Sequence, residues 1–149
     1  MIRTATLTDL DPLIQLENHS FESDQLSRQN FRYLLTKANA TTLVDADNQH
    51  IRGYAIILYN SATSIARLYS IVVGAEYRGQ GIGQHLLKAA EEDAVRNECI
   101  ALRLEVRRDN HKAIQMYIKN GYKEIGILND YYEDHMEAIR FEKRLASEK

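Results

Sequence analysis

The sequence predicts an α/β domain in which a mixed sheet of about seven strands carries about four helices on its two faces. Three observations predict it. Apolar periodicity alternates between the strand and the helix repeat in the order βαα-βββ-αβα-ββ. A strand, a helix and a second strand follow one another between Ile65 and Val106, a unit that demands parallel strands and a right-handed crossover. The chain has 149 residues, 44% hydrophobic and 27% charged, so residues 1–149 are expected to form a single domain with a full core.

Each element has a local reason. Ile2 to Ala5 reads as a short strand. Thr8 is the expected N-cap of the first helix, with Asp11 at capping-box distance and Pro12 in the first turn. Leu10, Leu13, Ile14 and Leu16 give that helix its apolar face. Ser27 caps a second helix carrying Phe31, Leu34 and Leu35. Thr41–Val44 and Gly53–Tyr59 read as strands joined through the turn-rich Asp45-Ala46-Asp47-Asn48-Gln49, hence a hairpin. Ile65–Val73 is the next strand. From Ile82 the period changes, and Leu86, Leu87, Ala90 and Ala94 share one helical face. Ala101–Val106 alternates Leu102 and Leu104 with Arg103 and Glu105. Asn110–Lys119 is a helix with Gly121 as its stop. Tyr122–Leu128 and Met136–Phe141 close the sheet.

Composition narrows the function. A formal net charge of -2 gives no global case for nucleic acid. The one cysteine, Cys99, forms no internal disulfide. The five histidines show no metal-ligand spacing. No apolar run is long enough for a membrane span, and the start of the chain lacks a signal-peptide core, so a cytoplasmic protein is expected.

The segment Arg78-Gly79-Gln80-Gly81-Ile82-Gly83 lies between a strand and a helix. Its glycines admit backbone conformations closed to other residues and allow close approach to a ligand. The first amides of the following helix have no internal partners, so the turn is an anion nest. The Lys-Ser/Thr ending of a P-loop is missing, since Gln84 and His85 follow. The Gly-x-Gly-x-x-Gly spacing of a dinucleotide site is missing too.

This loop matches the Arg/Gln-x-x-Gly-x-Gly/Ala signature of the GNAT N-acetyltransferases, with Arg78, Gly81 and Gly83 at the signature positions. Leu68-Tyr69-Ser70-Ile71-Val72-Val73 resembles that family's cofactor strand. Leu104-Glu105-Val106-Arg107, Asn110, Ala113-Ile114, Tyr117 and Gly121-Tyr122 resemble its RimI-type branch, the protein N-terminal acetyltransferases. Asp130 to Asp134 with Glu137-Ala138 resemble that branch's closing hairpin. The sequence departs from the branch at Gly79, where a bulky basic residue is common. It departs again around Phe21, where no Trp occurs.

The resemblance implies a twisted, mostly antiparallel sheet with one splayed parallel pair. It implies acetyl-CoA as acetyl donor, without a metal. Backbone groups of Ile71, Val72 and Val73 would bond pantetheine. The segment Arg78, Gly79, Gln80, Gly81, Ile82, Gly83 and Gln84 would cradle the pyrophosphate, and Asn110 would touch the coenzyme or simply cap its helix. Glu105 is the implied general base, or else a solvated charge or a partner of Arg103 or Arg107. Tyr117 is the implied general acid, or else a core tyrosine. Tyr131 and Tyr132 would position a peptide. Arg107, Arg108 and Lys112 are candidates for the coenzyme's outer phosphate, or form a solvated basic patch. If the acidic cluster Asp130, Glu133 and Asp134 borders the acceptor groove, it would favour cationic amines. The implied reaction is acetyl transfer to a peptide or protein N-terminus. The alternatives are a small amine (polyamine, amino sugar or drug) and a non-catalytic acetyl-CoA-binding module. A monomer or homodimer is expected, without nucleic-acid or membrane partners.

Overall fold

The computed structural model describes residues 1–145 except Glu22 and Gln49. Seven strands form one sheet: β1 (Ile2–Thr4), β2 (Ala40–Asp47), β3 (His50–Leu58), β4 (Ile65–Val73), β5 (Ala101–Arg107), β6 (Lys123–Leu128) and β7 (Ala138–Arg144). Their order across the sheet is β1-β2-β3-β4-β5-β7-β6. Only β4 and β5 run parallel, joined through the predicted crossover helix. Four helices complete the fold: α1 (Leu10–Ser20), α2 (Arg28–Thr36), α3 (Ile82–Arg96) and α4 (His111–Lys119). None is long and apolar enough to cross a membrane.

The helices cover both faces. On one, Leu10, Leu13 and Phe31 of α1 and α2 pack on Val44, Tyr54, Ile56 and Val72. On the other, Leu86, Leu87, Ala90 and Ala94 of α3 and Tyr117 of α4 pack on Ala66, Leu68, Leu102 and Leu104. The apolar stripe predicted for α3 is the buried stripe. Ser27 caps α2 as expected, its Oγ accepting from the Asn30 amide at 3.0 Å.

Two local readings are corrected. The capping box lies at Thr6 and Asp9, not at Thr8. The Asp9 carboxylate accepts from the Thr6 amide at 2.8 Å and pairs with both terminal nitrogens of Arg3. That pairing holds a 3-10 turn over Leu7–Asp9 before α1 begins at Leu10. The β2–β3 hairpin is also longer than its apolar runs suggest. Asp45 and Asp47 lie in β2, and the turn shrinks to the neighbourhood of Asn48 at φ 49°; Gln49 lies outside the described residues. Asp45 is buried because Arg52 reaches it at 2.6 Å, so a residue that reads as a turn former is a paired strand residue.

The feature that positions the site is in β4. Ser70 pairs with Ile56 and Leu68 with Ile57, which leaves Tyr69 unpaired as a β-bulge. The parallel pairing of β4 with β5 ends at Leu68 and Leu104. Beyond that pair the two strands splay. The Gly74 amide donates to the Arg52 carbonyl at 2.8 Å. By strand alternation, Val72 and Ser70 turn their backbone groups to β3, while Ile71 and Val73 turn theirs to the gap.

Candidate active site

A cleft of about 590 Å³ opens where β4 and β5 part. It brings together Ile71, Glu105, Asn110, Tyr117, Tyr131 and Tyr132, six of the residues singled out from sequence. Val72, Val73 and the glycine loop do not line it. The loop sits at the end of the gap: a methyl added to Gly83 would meet Val73 Cγ2 at 3.6 Å and Met116 Sδ at 3.8 Å.

The donor wall is largely backbone. Gly79 and Gly81 have φ of 83° and 80° and open space around them, so both need glycine's freedom and neither is crowded. Gly81 is the N-cap of α3, with no side-chain cap. The first helical hydrogen bond runs from the His85 amide to the Gly81 carbonyl. The Ile82, Gly83 and Gln84 amides therefore have no helical acceptor, and the helix dipole points the same way. The Ile82 side chain is buried in the core, so only its backbone serves the nest. Gln80 and Gln84 are exposed, and so is Arg78, which reaches the Val73 carbonyl at 3.4 Å. This arrangement fits the pyrophosphate and pantetheine of acetyl-CoA: unpaired amides at a helix start, then a strand edge that β5 leaves unpaired at Ile71 and Val73, where, among the described residues, Arg78 alone reaches the Val73 carbonyl.

Asn110 and Tyr117 flank the gap from α4. Asn110 Oδ1 accepts from the Ala113 amide at 3.2 Å, so its capping role is real, and the residue also lines the cleft. Tyr117 lies two turns further on. Its ring packs edge-on to Tyr122 at 5.7 Å and tilted against Phe141 at 6.4 Å. Burial raises its hydroxyl well above the usual tyrosine range, with the neighbouring Tyr132 adding to the effect. It thus keeps its proton at neutral pH.

The acceptor wall is built of side chains. Glu105 is 4% exposed and held by two arginines. Its Oε1 accepts from Arg67 Nε at 2.8 Å, with Arg67 Nη2 at 2.7 Å, and its Oε2 accepts from Arg140 Nε at 2.8 Å. Neither Arg103 nor Arg107 is its partner. Arg103 bonds Glu142, and Arg107 bonds Asp109 and Asp134. Tyr131 accepts from Arg67 Nη2 at 2.7 Å, and its ring meets Tyr132 edge-on at 4.9 Å. Arg107 lies over the Tyr132 ring at 5.0 Å. Buried Glu17 accepts from the Tyr54 hydroxyl and, at 2.8 Å, from the Leu26 amide, which ties the α1–α2 loop to the sheet. The same loop reaches the β6–β7 loop, where the Asp24 amide donates to Glu133 Oε2 at 2.9 Å.

The acidic cluster is consumed internally. Asp130 pairs with His135, Glu133 with Asp24, and Asp134 with Arg107, whose guanidinium holds that carboxyl below its usual range. Of the basic candidates, Arg107 and Arg108 are paired within the domain, Arg108 with Glu137 at 2.6 Å. The sequence reading missed Arg67, Arg140, Glu17 and Asp24. A signal existed for two of them. Arg67 and Arg140 are charges inside apolar strands, and such charges need partners. Which partners became visible only with the strand order β4-β5-β7.

Comparison with known proteins bears on the family and the fold. Residues 7–122 match the acetyltransferase (GNAT) family. A Bacillus subtilis (strain 168) protein named "Putative ribosomal protein bS18-alanine N-acetyltransferase" is 33% identical over 136 residues, covering 91% of this chain and 89% of that one. The ribosomal protein bS18-alanine N-acetyltransferase of Salmonella typhimurium (strain LT2) is 29% identical over 148 residues, covering 93% of each. The crystal structure of the ribosomal-protein-S18-alanine N-acetyltransferase from Escherichia coli has a TM-score of 0.87 at 25% identity, covering 100% of this chain and 96% of that one.

Proposed function

The chain belongs to the acetyltransferase (GNAT) family, and from that premise we propose that it acetylates the N-terminal α-amino group of a peptide or protein by direct attack. One observation carries the reading. A single cleft holds both the Glu105 carboxylate and the proton-retaining Tyr117 hydroxyl, where a strand edge left unpaired by β5 meets the gap. Retention of both argues against a module that only binds the coenzyme. The named activities of the bS18-alanine acetyltransferases above support an α-amine acceptor.

Acetyl-CoA supplies an acetyl thioester when bound. The Ile82, Gly83 and Gln84 amides would hold its pyrophosphate, and Ile71 and Val73 would bond pantetheine like an added strand. Val72, whose backbone turns to β3, would contribute through packing. The free side-chain amide of Asn110 would bond the coenzyme while Oδ1 caps the helix. A backbone amide of the gap edge would polarise the carbonyl.

Glu105 would receive the amine. Its Oε1 is occupied by Arg67, whereas Oε2 takes one bond from Arg140 and keeps one acceptor position free. That position would accept the amine's proton directly or through a water. The demand is modest: an α-amine has a pKa near ~8, against ~10.4 for lysine. The two guanidiniums around Glu105 also disfavour the charged form of an incoming amine. Tyr117 would protonate the departing thiolate. Tyr131 and Tyr132, fixed by Arg67 and Arg107, would line the path of the acceptor chain.

A second reading is a small-amine acetyltransferase, favoured by the Asp24–Glu133 bridge that ties the α1–α2 loop to the β6–β7 loop beside the cleft. Acetyl-CoA consumption, measured across N-terminal peptides, lysine peptides and polyamines, separates the two. Turnover on peptides with free α-amines, exceeding that on Nα-blocked lysine peptides and polyamines, is expected. Turnover confined to polyamines would overturn the peptide reading, and none on any amine would favour the binding module.

A further inference from the structure

Charge is unevenly distributed around the cleft: among the described residues Glu17 and Asp24 are anions met only by neutral donors, whereas Arg67, Glu105 and Arg140 join two cations to one anion. Among the described residues, the carboxylates lining the cleft are each hydrogen-bonded: Glu17 by Tyr54 and Leu26, Asp24 by the Glu133 amide, Glu105 by Arg67 and Arg140, and Asp134 by Arg107. Its two arginines differ. Arg107 spends Nε, Nη1 and Nη2 on Asp109 and Asp134, one cation between two anions. Arg67 shares one carboxylate with Arg140, so that cluster carries a surplus positive charge. A guanidinium has five N–H donors. Arg67 directs Nε to Glu105 and Nη2 to Glu105 and Tyr131, and its Nη1 has no acceptor among the described residues. The side chain is 40% exposed, lines the cleft and lies against Tyr69, with its carbon Cζ 5.8 Å from the ring centroid. It is therefore an orientated, half-open cation beside the carboxylate assigned to the amine.

We infer that Arg67 selects acceptors carrying a carboxylate close to the reacting amine. This rests on the reading that the cleft takes an amine acceptor at Glu105. An N-terminal aspartate or glutamate places a side-chain carboxylate a few bonds from its α-amine, and a free amino acid places its α-carboxylate there. Either would set the amine at the open side of Glu105 and the carboxylate on Nη1 of Arg67. Glu105 and the Tyr131 hydroxyl fix the guanidinium plane beforehand, so little freedom is lost on binding. A neutral amide of the same shape would leave the surplus charge unmet.

The test is a set of peptides identical except for the first residue: Asp, Asn, Glu, Gln or Ala. Free aspartate and glutamate are assayed alongside. For the wild-type protein, kcat/KM for Asp and Glu is expected to exceed that for Asn and Gln by at least about tenfold, mostly through KM. In Arg67→Gln the ratio should fall to within about twofold, and Arg67→Lys should keep part of it. Equal rates on acid and amide peptides in the wild-type protein would overturn the inference, whatever the variants do; turnover on the Ala peptide would then leave the proposed function standing. An acid preference that survives Arg67→Gln would overturn the assignment to Arg67. Turnover on free amino acids alone would support carboxylate recognition and overturn the peptide reading. No turnover on any of them would overturn both.

Discussion

The two walls of the cleft are made of different material. The donor wall is main chain: a strand edge at Ile71 and Val73, and helix-start amides behind Gly81. The acceptor wall is side chain: Glu105, Arg67, Tyr131 and Tyr132, brought from three separate segments and braced by Arg140 and Arg107. On the proposed function, main-chain groups would recognise what every acyl-CoA donor shares, a pyrophosphate and an amide-bearing arm. Side chains can be exchanged one at a time without moving the sheet. The difference separates the constant half of the reaction from the half that can change.

This contrast can be broken by experiment. Tyr117 lines the same cleft from α4, and Tyr117→Phe should have the largest effect. It should lower kcat by about a hundredfold, as loss of a general acid does, while acetyl-CoA affinity by titration stays within about twofold. Unchanged kcat would remove Tyr117 from the mechanism. Gly81→Ala acts on the donor wall alone. It forces a side chain to φ 80°, at a cost of about 1–2 kcal/mol, and should raise KM for acetyl-CoA about tenfold while leaving KM for the acceptor unchanged. An equal rise in both would mean the walls are not independent. Glu133→Ala is the mildest. It removes one exposed hydrogen bond between the α1–α2 and β6–β7 loops and should change acceptor KM about twofold, with no effect on acetyl-CoA.

The same contrast explains what the sequence disclosed. Gly79, Gly81 and Gly83 lie within five residues, and the helix they open is adjacent in the chain, so the loop was legible as a motif. Strand β4 was legible to the residue because it is a continuous run rich in β-branched and apolar side chains, and helix α3 was legible from its start at Ile82 because its apolar stripe is long. The β2–β3 hairpin was cut short in the reading because Asp45 and Asp47 resemble turn residues until Arg52 supplies a partner. Thr8 lost the cap to Thr6 because Arg3, on the neighbouring strand, fixes Asp9. The Arg67–Glu105–Arg140 cluster was invisible for the same reason on a larger scale. Its members lie 38 and 35 residues apart, and only the sheet makes them neighbours.

The bulge at Tyr69 also shifts the phase of its strand. Before it, the even-numbered Ala66 and Leu68 face α3 and α4; after it, the even-numbered Val72 faces α1 and α2, and Ile71 and Val73 join the α3 side. The strand is thus written in two reading frames, with Tyr69 as the inserted character. Deleting that one residue would restore a single frame and let β4 continue along β5 past Leu68 and Leu104. Each regained ladder hydrogen bond would be worth about 1 kcal/mol. The repaired sheet would be better formed but would have no edge left to offer a donor. On the proposed function, the donor site is a fault in the sheet, and perfect pairing would abolish it.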